Sequence, residues 1–335
     1  MQINKTEIKK ILCIKPRGIG DVVLSTIILE NLCTHFPSAK IDYLTEEFVK
    51  PAIDGIPLIN KILTFKKSDF ILNTIRKVRK EKYDLVFDLW SNPKTAQITF
   101  FSGIKHRVGF NYRGRSYAYN IKVKSGRGEH HSAEHNLELL KELNIEIKSK
   151  KIFASVDTVK NDWAKNIISE NFVLKKKIIG IIPSGGWESK RCDADKWIEI
   201  CKELNSNLNV ELLILWGPGD ELDAQIISNG LREVSFLSPK TSVKEMSALI
   251  NNCSLVIAND SGPMHIAAAL GIPTLGLFGP TDPKKHGPYL EKSDYIIKSD
   301  LHCIICNKLK CPYDHECMKE LSSELILEKI KKLLK

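Results

Sequence analysis

Along the chain, short apolar runs alternate with longer stretches in which apolar positions recur every three or four residues. The runs at 11–14, 178–182 and 255–258 are continuous, the pattern of strands covered on both faces, and those at 83–89, 210–216 and 274–277 are apolar but for Asp84, Asp88, Glu211 and Thr274. Shorter runs at 40–44, 61–65 and 236–237 add further strands. Helical spacing marks 22–35, 46–53, 69–80, 132–143, 157–171, 193–204, 243–251, 262–270 and 323–334. Strand and helix in turn predict an α/β protein with doubly wound parallel sheets. The chain has 335 residues, more than one core usually supports, and the pattern restarts at Ile178. Two domains are expected, 1–172 and 173–322, followed by a C-terminal helix at 323–335 that could pack back on the first.

Glycine-rich turns follow several of the strands. The first run leads through Lys15-Pro16-Arg17-Gly18-Ile19-Gly20-Asp21 into a helix. It is not a dinucleotide fingerprint, since the third glycine is missing, and it has no Lys-Ser/Thr pair for a P-loop. What it offers is Asp21, either a helix cap or a carboxylate able to take a proton. The run at 178–182 leads into Pro183-Ser184-Gly185-Gly186-Trp187-Glu188-Ser189-Lys190-Arg191, where glycines and a basic pair could hold a diphosphate. After 210–216 come Asp220 and Glu221, which either accept from ribose hydroxyls or start a helix. Asn259-Asp260-Ser261-Gly262-Pro263-Met264-His265 turns a buried strand into an alanine-rich helix. The free N–H groups of such a helix, with its dipole, suit a phosphate. Phe278-Gly279-Pro280-Thr281-Asp282-Pro283 closes the next strand in the same way.

The formal charge of +10 and pI near 9.0 point to an anionic partner or to lysine enrichment for solubility. The basic residues crowd most densely at 105–135, read as a loop, where Arg107, Arg113, Arg115, Arg127 and His131 are interleaved with aromatics. That composition suits phosphates and sugar rings, and equally single-stranded nucleic acid. A basic face on 69–80 could lie on an anionic membrane or simply in solvent. No signal peptide or bilayer-spanning run is legible, so a cytoplasmic protein with at most peripheral membrane contact is expected. Of nine cysteines, Cys303, Cys306, Cys311 and Cys317 cluster at C-x2-C-x4-C-x5-C spacing. That spacing suits a structural zinc, with reduced thiols or an iron–sulfur cluster as alternatives.

The ordered set K-P-R-G-I-G-D-V-V-L-S-T, P-S-G-G-W-E-S-K-R, W-G-P-G-D-E, N-D-S-G-P-M-H-I-A-A-A-L-G-I-P-T and L-F-G-P-T-D-P resembles the family 9 glycosyltransferases, the ADP-heptose:lipopolysaccharide heptosyltransferase family. The resemblance spans nearly the whole chain. It implies a GT-B architecture: two Rossmann-like domains facing across a cleft, the first for the acceptor and the second for the nucleotide sugar. It further implies transfer from ADP-L-glycero-D-manno-heptose to the inner core or Kdo region of lipid A, with inversion, at the cytoplasmic face of the inner membrane. Asp21 aligns with the family's general base, and Ser184, Lys190, Glu221, Asp260, Ser261, Gly262 and His265 with donor contacts. Gly185 belongs to the same donor loop. Arg17, Arg113, Arg115 and His131 are the acceptor candidates. Lys190, Arg191 and the helix N-terminus would carry the diphosphate charge, so no cofactor or divalent ion is required for catalysis. Another nucleotide sugar or glycan acceptor stays open, as does a non-catalytic nucleotide-sugar or nucleic-acid-binding protein. Nucleic acid is not the expected partner, because it has no need of a carboxylate opposite a diphosphate site.

Overall fold

A computed structural model describes residues 3–126, 128–173, 176–231 and 234–335, so Arg127 of the basic segment lies outside the described residues. The chain divides into two units, Met1–Ser155 and Val156–Lys335. The first unit contains β1 (Lys10–Ile14), β2 (Lys40–Glu46), β3 (Lys61–Phe65), β4 (Leu85–Asp88), β5 (His106–Phe110) and β6 (Ile121–Val123), all parallel, in the order β3-β2-β1-β4-β5-β6. Ile11, Leu12, Ile14, Leu85, Val86 and Phe87 are fully buried, as continuous apolar strands in the middle of a two-sided sheet require. The chain order reverses between β1 and β4, and a sheet that reverses there opens a crevice at the carboxyl ends of those strands.

The second unit repeats the design with β7 (Lys177–Ile182), β8 (Val210–Ile214), β9 (Ser235–Leu237), β10 (Leu255–Asn259), β11 (Thr274–Phe278) and β12 (Ser293–Ile297), in the order β12-β11-β10-β7-β8-β9. Here the reversal lies between β10 and β7, which are paired with Ala258 beside Ile182. The turns after both strands therefore leave the sheet at one level. The chain thus has two Rossmann-like units of the GT-B class.

Several expectations are corrected. Residues 105–135 are no mere loop, since β5 and β6 run through them. The expected helix at 46–53 is reduced to one 3-10 turn, Lys50–Ala52, where Pro51 offers no N–H to prolong it. Helix Pro93–Phe101, started by a capping box between Asn92 and Thr95, and strand β12 escaped the reading altogether. The first unit ends at Ser155, so helix Thr158–Asn171 belongs to the second. There Lys160 pairs with Glu245 at 2.8 Å and Asn161 accepts from Asn252 at 2.9 Å. The C-terminal helix Ser323–Leu333 places Ile326, Leu327 and Ile330 in the second unit's core with Trp197, Ile200 and Ile296. Among the described residues no helix is long and apolar enough to cross a membrane.

Candidate active site

In the first unit the turn after β1 leads into helix Ile19–Ser25, whose cap is Gly18, so Asp21 is not the cap. Gly18 has φ +81°, and a Cβ built on it would stand 2.5 Å from Asp21 Oδ2. Only glycine lets the carboxylate lie over that turn. Asp21 is exposed, as is Arg17 beside it. Arg113 and Arg115 occupy the turn after β5, Arg113 exposed and Arg115 stacked over the Tyr112 ring at 5.0 Å. His131 follows β6 and caps helix Ser132–His135 by accepting from Ala133 N–H at 3.1 Å. These candidates share the carboxyl edge of one parallel sheet, spread over β1, β5 and β6. Another carboxylate at that edge, Asp88, is fully buried and serves as an anchor. It accepts from Ser91 N–H at 2.8 Å and Tyr119 O–H at 2.7 Å, while burial holds its carboxyl above the usual range.

In the second unit several of the donor candidates, Lys190, Asp260 and the Ser261 helix start among them, meet at the reversal point. Lys190 Nζ lies 2.7 Å from Asp260 Oδ2, with the two side chains only 15% and 8% exposed. Thr281 Oγ1 donates to the same oxygen at 2.6 Å, and the ammonium also stands 4.3 Å from the Trp187 ring centroid. Asn259 Nδ2 donates to Pro183 O at 2.7 Å, tying the turn after β10 to the turn after β7. Ser184 is buried, and Gly185 O accepts from Arg191 Nε at 3.0 Å. Helix Gly262–Ala269 has Ser261 at its cap without a side-chain capping bond, and among the described residues the buried Ser261 Oγ has no hydrogen-bond partner. His265 is buried one turn inside that helix. A cation, free N–H groups and an unsatisfied hydroxyl gathered at a helix N-terminus suit a phosphate group.

The structure chooses between the two carboxylates after β8 and adds two residues not singled out, Thr281 and Trp187. Asp220, not Glu221, is the buried carboxylate after β8, and it pairs with Arg191 at 3.0 Å, whereas Glu221 is exposed at the start of helix Glu221–Gly230. Thr281 and Trp187 complete the surroundings of Lys190. Their signal was position, each lying in a turn at a strand's carboxyl end.

Cys303, Cys306, Cys311 and Cys317 line one cavity of about 310 Å³ with His302 and His315. Burial, then the neighbouring thiols, push the Cys317 thiol up to about 12. Four thiols suit a soft divalent ion chemically. Among the described residues, no three His, Cys, Asp or Glu groups are gathered into a ligand set as the side chains stand. The segment does brace the donor turns: Ser189 Oγ donates to Lys308 O at 2.5 Å, and Asn307 N–H to Pro280 O at 2.8 Å.

A family model described as glycosyltransferase family 9 (heptosyltransferase) matches residues 71–316. The chain is 27% identical over 345 residues to lipooligosaccharide heptosyltransferase 2 of Haemophilus influenzae, covering 97% of this chain and 99% of that one. Among solved structures, a glycosyl transferase family 9 protein from Veillonella parvula superposes with a TM-score of 0.84 at 20% identity, covering 97% of each chain. The Escherichia coli ADP-heptose lps heptosyltransferase II superposes with a TM-score of 0.80 at 22% identity, covering 97% of this chain and 98% of that one.

Proposed function

The chain belongs to glycosyltransferase family 9 and is a glycosyltransferase, and on that footing we propose that it transfers heptose from ADP-L-glycero-D-manno-heptose to the inner core of lipopolysaccharide, on a Kdo or heptose acceptor carried by lipid A. The observation that carries this reading is the convergence of Lys190, Asp260, Thr281 and the Ser261 helix start at one strand-order reversal. Matched nearly end to end, the relatives named heptosyltransferases support the sugar.

In this mechanism the donor diphosphate lies on the N-terminus of helix Gly262–Ala269, with Ser184, Gly185 and the Ser261 hydroxyl as polar contacts. Lys190 neutralises charge as it grows on the departing ADP, which is where a preorganised cation contributes most. Asp260 and Trp187 hold its ammonium, Arg191 is steered by Asp220, and His265 lies behind the phosphate turn. Glu221 accepts from the ribose hydroxyls. Arg17, Arg113, Arg115 and His131 hold the anionic acceptor. Asp21 takes the proton of the acceptor hydroxyl while that oxygen bonds to the anomeric carbon from the face opposite ADP. The bond to the diphosphate oxygen breaks, ADP leaves with the electron pair, and the anomeric configuration inverts. Protein cations and N–H groups perform the electrostatic work, so we assign no step to a metal, and a zinc on the four cysteines would only brace the donor turns. The reaction belongs at the cytoplasmic face of the inner membrane, where the lipid-anchored acceptor is presented.

Calorimetry with ADP, UDP, GDP and ADP-heptose in the presence of chelator tests the donor, and product analysis with a core acceptor tests the transfer. Selective, chelator-insensitive ADP-heptose binding that disappears in Lys190→Ala is expected. Preference for another nucleotide would remove the heptose assignment.

A further inference from the structure

A second surface of the first unit has no part in that mechanism. Residues 66 to 94 carry eight lysines and arginines against four acids. The acids are engaged locally or inward: Asp88 is buried, Asp84 accepts from the Lys9 and Lys10 N–H groups at 2.8 and 2.9 Å, Glu81 pairs with Lys10 and Lys61, and Asp69 accepts from Lys66 N–H at 2.8 Å. Helix Ile71–Glu81 buries Thr74, Ile75 and Val78 and leaves Arg76, Lys77, Arg79 and Lys80 in solvent. Among the described residues none of these four cations has a carboxylate within ion-pair distance.

Large apolar side chains are exposed beside this charge. Phe48 is 56% exposed in the turn after β2, Phe70 66% in the turn after β3, and Leu72 44% in the first turn of the basic helix. The two turns are joined: Glu47 N–H donates to Phe65 O at 3.1 Å, and Lys66 pairs with Glu47 at 3.5 Å. Lys94 reaches the same corner over the Phe65 ring at 4.6 Å. Strand β2 neighbours β1, so the turns after β2 and β3 lie about 5 and 10 Å along the sheet from the turn that carries Arg17 and Asp21.

We propose that this corner, with Phe48, Phe70 and Leu72 as the inserting side chains and the outer face of helix Ile71–Glu81 as the charged rim, docks the first unit on an anionic phospholipid bilayer. Exposed rings next to unanswered lysines and arginines are the interfacial pattern, one part entering the headgroup boundary and the other held by surface potential. The inference rests on the acceptor being a glycolipid: docking at this corner brings the bilayer to the edge where the acceptor hydroxyl meets Asp21. An acidic protein or a nucleic acid would match the charge, but neither calls for apolar side chains on two adjacent turns.

Flotation of the full chain with phosphatidylcholine vesicles, with or without phosphatidylglycerol, tests this without donor or acceptor present. Binding to the anionic vesicles alone, weakened by salt, is expected. Each cation lost lowers affinity about fivefold, so Lys77→Glu with Lys80→Glu lowers it at least about 25-fold. Phe48→Ser with Phe70→Ser lowers it about tenfold or more while the salt response persists. Both double variants keep the wild-type melting temperature and turnover on a soluble acceptor oligosaccharide, and lose turnover on acceptor embedded in vesicles. Wild-type protein that ignores anionic vesicles, variants that bind like wild type, or tighter binding to an oligonucleotide would overturn the proposal. Vesicle binding without any heptose transfer would sink the functional reading and leave the docking surface standing, and soluble-acceptor transfer without vesicle binding would do the reverse.

Discussion

Replacing Lys190 by alanine removes a cation 2.7 Å from Asp260 Oδ2 in a setting where both side chains are largely covered. Two unit charges about 4 Å apart at an effective dielectric of about 20 interact by about 4 kcal/mol. The remaining exposure and the surviving Thr281 hydrogen bond reduce the loss in folded stability to about 2 kcal/mol. For a unit of this size that lowers the melting temperature by roughly 4 to 8 °C. Catalysis loses more, because the ammonium faces charge that is largest in the transition state, and kcat falls about 100- to 1,000-fold. Initial rates on ADP-heptose, followed by ADP release, measure kcat and KM, and calorimetric scans measure stability. The double variant Lys190→Ala with Asp260→Asn separates the two effects. Removing both charges restores most of the melting temperature, because no buried carboxylate is left unpaired. It does not restore kcat. If the double variant regained turnover, or if Lys190→Ala kept kcat/KM within about threefold of wild type, Lys190 would be only the partner of Asp260 and the catalytic role would be wrong.

Asp21→Asn keeps shape and exposure but takes no proton, so kcat drops about 100-fold or more with an unchanged melting temperature; near-normal transfer by the folded variant would rule out Asp21 as the base. Gly18→Ala places a methyl 2.5 Å from Asp21 Oδ2 at φ +81°, costing about 1 kcal/mol of stability and lowering kcat more than donor affinity; an unchanged kcat would show that the turn does not set the carboxylate's position. The Glu245 carboxyl is held down at about 2 by its hydrogen bond to Lys160, then by those to Ser242. A depressed acid stabilises above its unfolded pKa of about 4.5, and that stabilisation is lost as pH falls through 2. Allowing for the partial exposure of this pair, Glu245→Gln costs about 1 kcal/mol at pH 7, and denaturant curves of variant and wild type converge between pH 4.5 and 2; a gap that persists at pH 2 would contradict the assignment.

The central strands were legible because a strand buried on both faces is apolar through its middle: β1, β7, β10 and β11 are each built around an apolar run. The strands that escaped were partly polar or near an edge. In β6 only Ile121 and Val123 face inward around the exposed Lys122, too short an alternation to stand out from the basic residues nearby, and β12 is half-exposed along most of its length. The turns were legible for a different reason, since glycine, proline and small polar residues at a strand end state what the backbone must do there.

Sequence alone therefore determined the α/β class, the single restart of the pattern, the turns that can receive a phosphate and the residues in them. Only the tertiary structure decided which of those residues meet. Lys190 and Asp260 lie far apart in the chain and come together because β7 pairs with β10, a crossover that no local pattern encodes. Thr281 joins them because β11 lies on the other side of β10. Between adjacent Asp220 and Glu221, composition could not choose, since successive residues at a helix start point about 100° apart and packing against Arg191 turns only one of them inward. The last helix shows the same limit. Its apolar stripe was readable in the sequence, but its partner surface is formed by residues scattered over the second unit, and a stripe by itself does not name the core it completes.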